Sequence, residues 1–358
     1  MVTALASLHQ DLQDLVGRTI AERYRVDDLL GIGGMGAVFR GHHLGLERNV
    51  AIKVLHPSLS RDADISARFD REARSSSRLD HPNCVQVTDY GTTEHGMKFM
   101  VMQLLEGSEL GKVLGKPLPS LRAIAFTLQI CRGLEHAHAQ GVIHRDIKPE
   151  NVFVVRDRDG QDVLKLVDFG IAKIMSASER SDGRMTRVGL VFGTPAYMSP
   201  EQAAGVEADE RADLYSLGVL LYEMLAGKPP FYSDDPVALV RMQVSADPPR
   251  LPADVPPMLA AVVERSLAKQ RDDRFQSAKE MRETLEGVQQ LLRGDATPSM
   301  EFPLPTVSSE IDLRTGVSTM PLVGGDGQRL PVPKRRFAIG IGAGAVGLLM
   351  LWAVVSHD

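Results

Sequence analysis

Eight residues constrain this chain more tightly than any others: His144-Arg145-Asp146-Ile147-Lys148-Pro149-Glu150-Asn151, with the apolar run Val152 to Val155 directly behind them. Five of the eight are ionic or amide groups, a density that belongs to a loop. A carboxylate, an ammonium and an amide stand two and three residues apart. In that order Asp146 can accept a hydroxyl proton, Lys148 can neutralise a transferring phosphate, and Asn151 can hold a metal ion. Such a loop is half a site. It needs a nucleotide clamp and a second metal ligand from elsewhere in the chain.

A candidate clamp lies upstream. Tyr24-Arg25-Val26, Ala37-Val38-Phe39 and Val50-Ala51-Ile52-Lys53-Val54-Leu55 are strand-like. Between the first and the last of these runs lies Gly31-Ile32-Gly33-Gly34-Met35-Gly36-Ala37-Val38. Glycines there let backbone amides approach phosphates, where a side chain would block the contact. A dinucleotide fold shares the G-x-G-x-x-G spacing, but its glycines open a helix and an acidic residue follows about twenty positions on. Here they run into strand residues and position 53 is a lysine, so a dinucleotide site is not expected.

Residues Ile65 to Leu79 form a charged, helical pattern with Ile65, Phe69 and Ala73 on one stripe, Glu72 within it, and Asp80-His81-Pro82-Asn83 ending it. Short strands follow at Cys84–Tyr90 and Lys98–Leu104, around a turn at Glu94-His95-Gly96, and a bend near Glu106-Gly107 closes this strand-rich part. Beyond it the period becomes helical. Ser120–Gln140 carries Leu121, Ile124, Ala125 and Leu128 on one face, and Val255–Leu292 reads as two helices. Asp213–Ala226 is strongly apolar, but Asp213 and Glu223 bracket it, so a buried core helix is expected rather than a membrane span. No internal repeat is visible.

The charge balance narrows the function classes. A net charge of −5, with no basic patch interleaved with aromatics, argues against nucleic-acid binding. With 358 residues, 43% of them hydrophobic, the chain can build a two-lobed core or a domain with attachments. Cys84 and Cys131 have no ligand-like spacing and are expected to be buried small hydrophobes in a reducing compartment. The N-terminus lacks a basic n-region, and Asp11 and Asp14 interrupt its apolar positions, so it is not a secretory signal. Leu5, Leu8, Leu12 and Leu15 instead suggest a short amphipathic helix packed on the domain.

After Leu292 the chain turns rich in Pro, Ser, Thr and Gly as far as Pro333, a linker composition. Residues 337–355 then run without a charge, and as a helix they would span roughly 28 Å, close to the hydrocarbon thickness of a bilayer. Lys334, Arg335 and Arg336 precede them directly. The positive-inside rule therefore leaves the long N-terminal part in the cytoplasm, with a single pass through the inner membrane and lipid as a partner. Gly340 and Gly344 form a G-x-x-x-G that supports helix pairing, so a homodimer is a weaker expectation.

Taken together, these residues resemble a bacterial eukaryotic-type (Hanks-type) transmembrane protein Ser/Thr kinase. The motifs stand in that family's order: the glycine loop, Val50-Ala51-Ile52-Lys53, Glu72, the octapeptide, Asp168-Phe169-Gly170, and Ser199-Pro200-Glu201. The resemblance covers about residues 20 to 290. It implies an α+β, two-lobed protein-kinase fold, with a small β-rich lobe (about 23–105) and a larger helical lobe (about 106–291). Around it stand an extension (1–22), a linker (292–333) and one C-terminal transmembrane helix within 334–356. ATP and magnesium, with manganese as a substitute, are the implied cofactors, and proteins with Ser/Thr acceptors the implied substrates.

The roles follow residue by residue. The resemblance implies that Lys53 holds the α- and β-phosphates, that Glu72 pairs with Lys53 when its helix is swung in, and that Asp168 and Asn151 carry two metal ions. Asp146 is the implied base. Lys148, with Thr194 before Pro195-Ala196-Tyr197, implies Ser/Thr rather than Tyr specificity. Gly31, Ile32, Gly33, Gly34, Met35 and Gly36 would cover the phosphates. Val38, Ala51 and Phe153 would sandwich adenine, Met102 would guard the back of the pocket, and Gln103 and Leu105 would offer backbone hydrogen bonds.

Other matches are structural. Glu201 and Arg274 correspond to a buried ion pair, Asp213 to a carboxylate bracing the catalytic loop, and His144 to a ring packed on Phe169. His136 and His138 face different sides of a helix, so no metal pair is expected, and His42 and His43 are placed on a loop without a role. Among Ser176, Ser178, Ser181 and Thr186, Thr186 stands at the family's autophosphorylation spacing, where Arg145 could pair with the phosphate. Val188 replaces a second threonine frequent in relatives. A pseudokinase scaffold is the main rival, disfavoured because Lys53, Glu72, Asp146, Lys148, Asn151 and Asp168 are all present. A small-molecule kinase is disfavoured by Thr194 and Ser199-Pro200-Glu201.

Overall fold

The alternation along Val50–Leu55 organises the first lobe. In a strand, side chains point to opposite faces in turn. Val50, Ile52 and Val54 accordingly join a cluster with Val26, Phe39, Phe99 and Val101, while Ala51 and Leu55 pack on the other face. Lys53 falls on the Ala51 side. Each fully buried aliphatic or aromatic side chain here contributes about 1.5–3 kcal/mol. The computed structural model describes residues 12, 14–33, 35–169 and 195–294.

Six strands form the sheet: β1 (Thr19–Ile20), β2 (Tyr24–Gly33), β3 (Gly36–His43), β4 (Arg48–Leu55), β5 (Val87–Thr92) and β6 (Lys98–Gln103), in the order β1-β2-β3-β4-β6-β5 and antiparallel throughout. Helices α1 (Pro57–Ser60) and α2 (Ala63–Ser76) follow β4. Asp62 caps α2 by accepting from the Asp64 and Ile65 amides. The expected stripe Ile65, Phe69 and Ala73 is buried against Val85, Val87, Met100 and Met102. Leu12 and Leu15 are buried in the cluster on the opposite face, so this part of the N-terminal segment packs on the lobe.

As expected, the glycines run into strand residues: they stand at the end of the β2–β3 hairpin, with Gly31 opposite Val38 and Gly33 opposite Gly36. Two details depart from the sequence reading. His42 and His43 lie in β3 rather than on a loop. His42 Nδ1 is 3.1 Å from Asn49 Oδ1, and the His43 ring stands edge-on to Tyr24. Finally, β5 begins at Val87 and not at Cys84. The residues before it are drawn towards the other lobe, where Cys84 bridges Leu166 and the Val85 amide donates to Leu166 O at 2.9 Å.

The second lobe carries a small sheet, β7 (Gly107–Glu109), β8 (Val152–Arg156) and β9 (Asp162–Leu166), beneath which helices dominate. These are α3 (Ser120–Ala139), α4 (Pro200–Ala203), α5 (Arg211–Ala226), α6 (Pro236–Ser245), α7 (Pro257–Ser266) and α8 (Ala278–Arg293). Every residue of α5 from Ala212 to Leu225 except Glu223 is buried, which makes it the central helix of the lobe. Gly218 permits this packing, because a Cβ there would meet the Ser266 side chain at 2.5 Å. Both cysteines are buried, and burial pushes each thiol up to about 12, which leaves them unreactive.

The architecture is the expected two-lobed α+β fold. Among the described residues no helix is long and apolar enough to cross a membrane. Residues 337–355, the linker beyond Gly294, Gly34, Gly170, Ser176, Ser178, Ser181, Thr186 and Thr194 lie outside the described residues.

Candidate active site

Asp213, at the start of α5, has no exposed surface. Its Oδ1 accepts the Arg145 amide at 2.7 Å, and its Oδ2 accepts the His144 amide and His138 Nε2, each at 2.8 Å. Burial by itself would push the carboxyl up. The hydrogen bond and charge of His138, with His144 and the Arg145 amide, outweigh it and hold the group below the usual carboxylate range. This grip explains how Arg145 keeps a φ of +65°, a left-handed conformation that costs a non-glycine residue about 1 kcal/mol or more. The Arg145 carbonyl is held too, accepting Gln202 Nε2 at 2.8 Å.

So braced, the loop presents three side chains together. Asp146 Oδ2 accepts Asn151 Nδ2 at 2.8 Å and lies 2.8 Å from Lys148 Nζ, while the same Asn151 nitrogen reaches the Asp146 carbonyl. Because Nδ2 is committed twice, Asn151 Oδ1 is the end left to face a cation. His144 closes the loop from below. Its Nε2 donates to Val167 O at 2.9 Å, its Nδ1 accepts the Asp146 amide at 3.3 Å, and its ring lies 4.6 Å from that of Phe169. Those partners require the neutral ring, and burial holds its pKa low. The ring is a structural part, as the sequence reading has it.

Across the cleft, Lys53 Nζ on β4 lies 2.7 Å from Asp168 Oδ1. Lys53 thus pairs with Asp168, and Glu72, expected to join Lys53 when its helix is swung in, is half-buried on α2. Asp168 also adopts a positive φ, +61°. The Val167 amide before it is tied to Asn151 O at 3.0 Å, and Phe169 behind it is buried. Ser76, Val85, Val87, Met100, Met102, Asp168 and Phe169 line a small cavity between α2 and the sheet, so Met102 stands at the back of the cleft. Val38, Leu104, Leu105 and Val167 pack against the buried cluster that contains Ala51 and Met102. Phe153, on β8, is half-buried and belongs to none of the buried clusters.

These residues suit a nucleotide with its metal. Gly31 and Gly33 have open space where a Cβ would stand, and a Cβ on Gly36 would meet Val54 O at 2.0 Å. Both Gly31 and Ile32 are exposed at the hairpin tip, and Met35 is half-buried beside it. The Leu105 amide makes no hydrogen bond among the described residues, whereas the Gln103 amide donates to Gln86 O. Asn151 Oδ1 and the carboxylate of Asp168 are hard oxygen donors, few in number, which matches how magnesium is held when phosphates and water complete its shell.

A second anchor lies behind the loop. Glu201 on α4 and Arg274 form a two-pronged ion pair, 2.8 Å at each contact, with the guanidinium fully buried. Arg274 also donates to the carbonyls of Ala268, Lys269 and Arg211. Burial would raise the Glu201 carboxyl, but Arg274 more than compensates and lowers it. Three contributors escaped the sequence reading: His138, Gln202 and Asn83, whose Nδ2 donates to Leu164 O and to Gln129 Oε1. Each acts on a residue far away in the chain, so no local spacing marks it.

The chain is similar to known proteins. The family described as "Protein kinase domain" matches residues 24–285. Serine/threonine-protein kinase pkn3 of Myxococcus xanthus is 42% identical over 297 residues, covering 80% of this chain and 54% of the relative. Serine/threonine-protein kinase PknB of Mycolicibacterium smegmatis is 38% identical over 325 residues, covering 88% and 50%. The chain thus spans about half the length of the curated relatives it matches. The crystal structure of the Mycobacterium tuberculosis PknI kinase domain superposes with a TM-score of 0.59 at 29% identity, covering 76% of this chain and 97% of that one.

Proposed function

The chain belongs to the protein kinase domain family, and on that premise we propose that it transfers the γ-phosphate of ATP to serine and threonine hydroxyls of proteins. The observation that carries the reading is the meeting of Asp146, Lys148 and Asn151 on one braced loop, opposite the Lys53–Asp168 pair. ATP supplies the phosphoryl group, and magnesium, held by Asn151 and Asp168, would neutralise phosphate charge when bound.

The chain's own residues do the rest. Lys53 steadies the α- and β-phosphates, with Glu72 as its support when α2 closes in. Asn151 and Asp168 hold the metal. Asp146 orients the acceptor hydroxyl and takes its proton, a contribution of roughly 10²–10⁴-fold for a positioned base. Lys148 lies within reach of the same carboxylate and offsets the charge of the transferring group, and Thr194 completes the Ser/Thr pattern. Val38, Ala51, Met102 and Phe153 form the adenine slot, and Gln103 and Leu105 offer it their backbone. The names of the relatives, all serine/threonine-protein kinases, support this acceptor class.

The reading extends to regulation and place. Thr186 is the proposed autophosphorylation site, with Arg145 as the partner of its phosphate, and 337–355 is the proposed tether to the inner membrane, leaving the kinase domain in the cytoplasm. Full-length protein incubated with ATP radiolabelled in its γ-phosphate and with myelin basic protein should yield phosphoserine and phosphothreonine. Label on tyrosine alone, or none, would overturn the reading. Mass spectrometry of the active protein should find phosphate on the Thr186 peptide, and a fully covered but unmodified peptide would remove that site.

A further inference from the structure

Gln243 is a polar residue of α6 with no exposed surface. Its Nε2 donates to Pro195 O at 3.1 Å and also to Ala196 O, and its Oε1 accepts the Tyr215 hydroxyl at 2.7 Å. Only one orientation of the amide serves, because two carbonyls require N–H groups and a hydroxyl proton requires the oxygen. The Gln243 carbonyl accepts Lys269 Nζ at 3.0 Å, and the same ammonium reaches Tyr215 Oη at 3.1 Å above the Phe231 ring. A methionine would fill the same volume without any of these demands. What the amide secures is the position of the Pro195–Tyr197 turn.

That turn borders the catalytic loop. It follows Thr194 directly, and α5 holds its far end, where Ser216 Oγ donates to Tyr197 O at 2.7 Å and the Tyr197 hydroxyl donates to Glu223. The charge of Glu150, a member of the loop, bears on both Tyr197 and Glu223. Five residues beyond Tyr197, Gln202 grips the Arg145 carbonyl. The Asp146 side chain keeps 27% of its surface exposed. The turn therefore stands beside the loop that presents Asp146 to solvent.

We propose that Gln243, fixed by Tyr215 and Lys269, is a positioning residue for the protein acceptor: by holding the Pro195 and Ala196 carbonyls it sets the wall on which the acceptor chain lies, and it leaves the nucleotide site alone. The proposal rests on the Ser/Thr kinase reading above. It is tested on the full chain in detergent by steady-state kinetics with myelin basic protein and ATP varied separately. Gln243→Met should raise KM for the protein about tenfold, the size of effect expected from losing buried hydrogen bonds. KM for ATP and kcat should stay within about twofold, as uniform acceptor binding requires.

Tyr215→Phe removes a single hydroxyl and keeps the ring, so it serves if Gln243→Met folds poorly. It should shift the same constant in the same direction, by about threefold. An unchanged KM for the protein in both variants would overturn the proposal, as would equal rises for protein and ATP. A merely structural role would lower the unfolding temperature with the kinetic constants unmoved, which also contradicts it. Absence of transfer to myelin basic protein by the unaltered chain would instead defeat the kinase reading itself.

Discussion

Asp213 shows how a single residue organises this site. A carboxylate with no exposed surface is tolerable only because two amides and an imidazole address it. Asp213→Ala would strand those donors in the interior, so unfolding in urea should reveal a loss of about 3 kcal/mol. A loss under about 1 kcal/mol would mean that the loop is braced by something else. The same residue carries a pH prediction. Asp213 and Glu201 are both held below their ordinary values, so the unfolded chain binds protons that the folded chain does not. Their stabilisation is complete above about pH 4.5 and is lost as pH falls through the folded values. Urea midpoints that stay flat from pH 6 to about pH 3 would contradict this. The carboxylate itself was legible in the sequence, through its place in the family pattern. His138 was not, because it meets Asp213 across 75 positions and nothing in its own neighbourhood sets it apart from His136.

At the scale of elements, the Glu201–Arg274 pair ties α4 to the segment before α8. Removing one partner of a buried pair leaves the other charge uncompensated, which costs about 3–5 kcal/mol, whereas replacing both with apolar residues is often nearly neutral. Glu201→Met should therefore destabilise far more than Glu201→Met combined with Arg274→Met, as a double-mutant cycle in denaturant would show. Equal losses would mean that the other carbonyl partners of Arg274, and not Glu201, are what its charge needs. Element legibility followed periodicity. The Ile65, Phe69, Ala73 stripe of α2 was readable because one face of it is buried, and β4 because its apolar, β-branched run is packed on both faces. Helix α6 was passed over although Asp235 caps it and Pro236 opens it. Only Leu239 and Gln243 are buried along it, so it has almost no apolar stripe to detect. The start of β5 was misplaced because Cys84 and Val85 pair with Leu166, a partner far off in sequence.

For the whole molecule, the ordered motifs were legible because backbone chemistry fixes their residue types: glycine at a hairpin tip, lysine on a strand facing the cleft, hard oxygens on two loops. That Lys53 reaches Asp168 was not legible, since the two stand far apart in the chain and meet from different lobes. The proposed tether has its own test at this scale. Deleting 337–355 should move the protein to the soluble fraction, and unchanged membrane fractionation would refute the anchor. The central claim is that the braced loop performs phosphoryl transfer with Asp146 as its base. The most direct measurement is the single-turnover rate of transfer from ATP to myelin basic protein, comparing the unaltered chain with Asp146→Asn at matched ATP saturation. The account predicts a fall of roughly 10²–10⁴-fold with ATP affinity preserved; equal rates in the two proteins would contradict it.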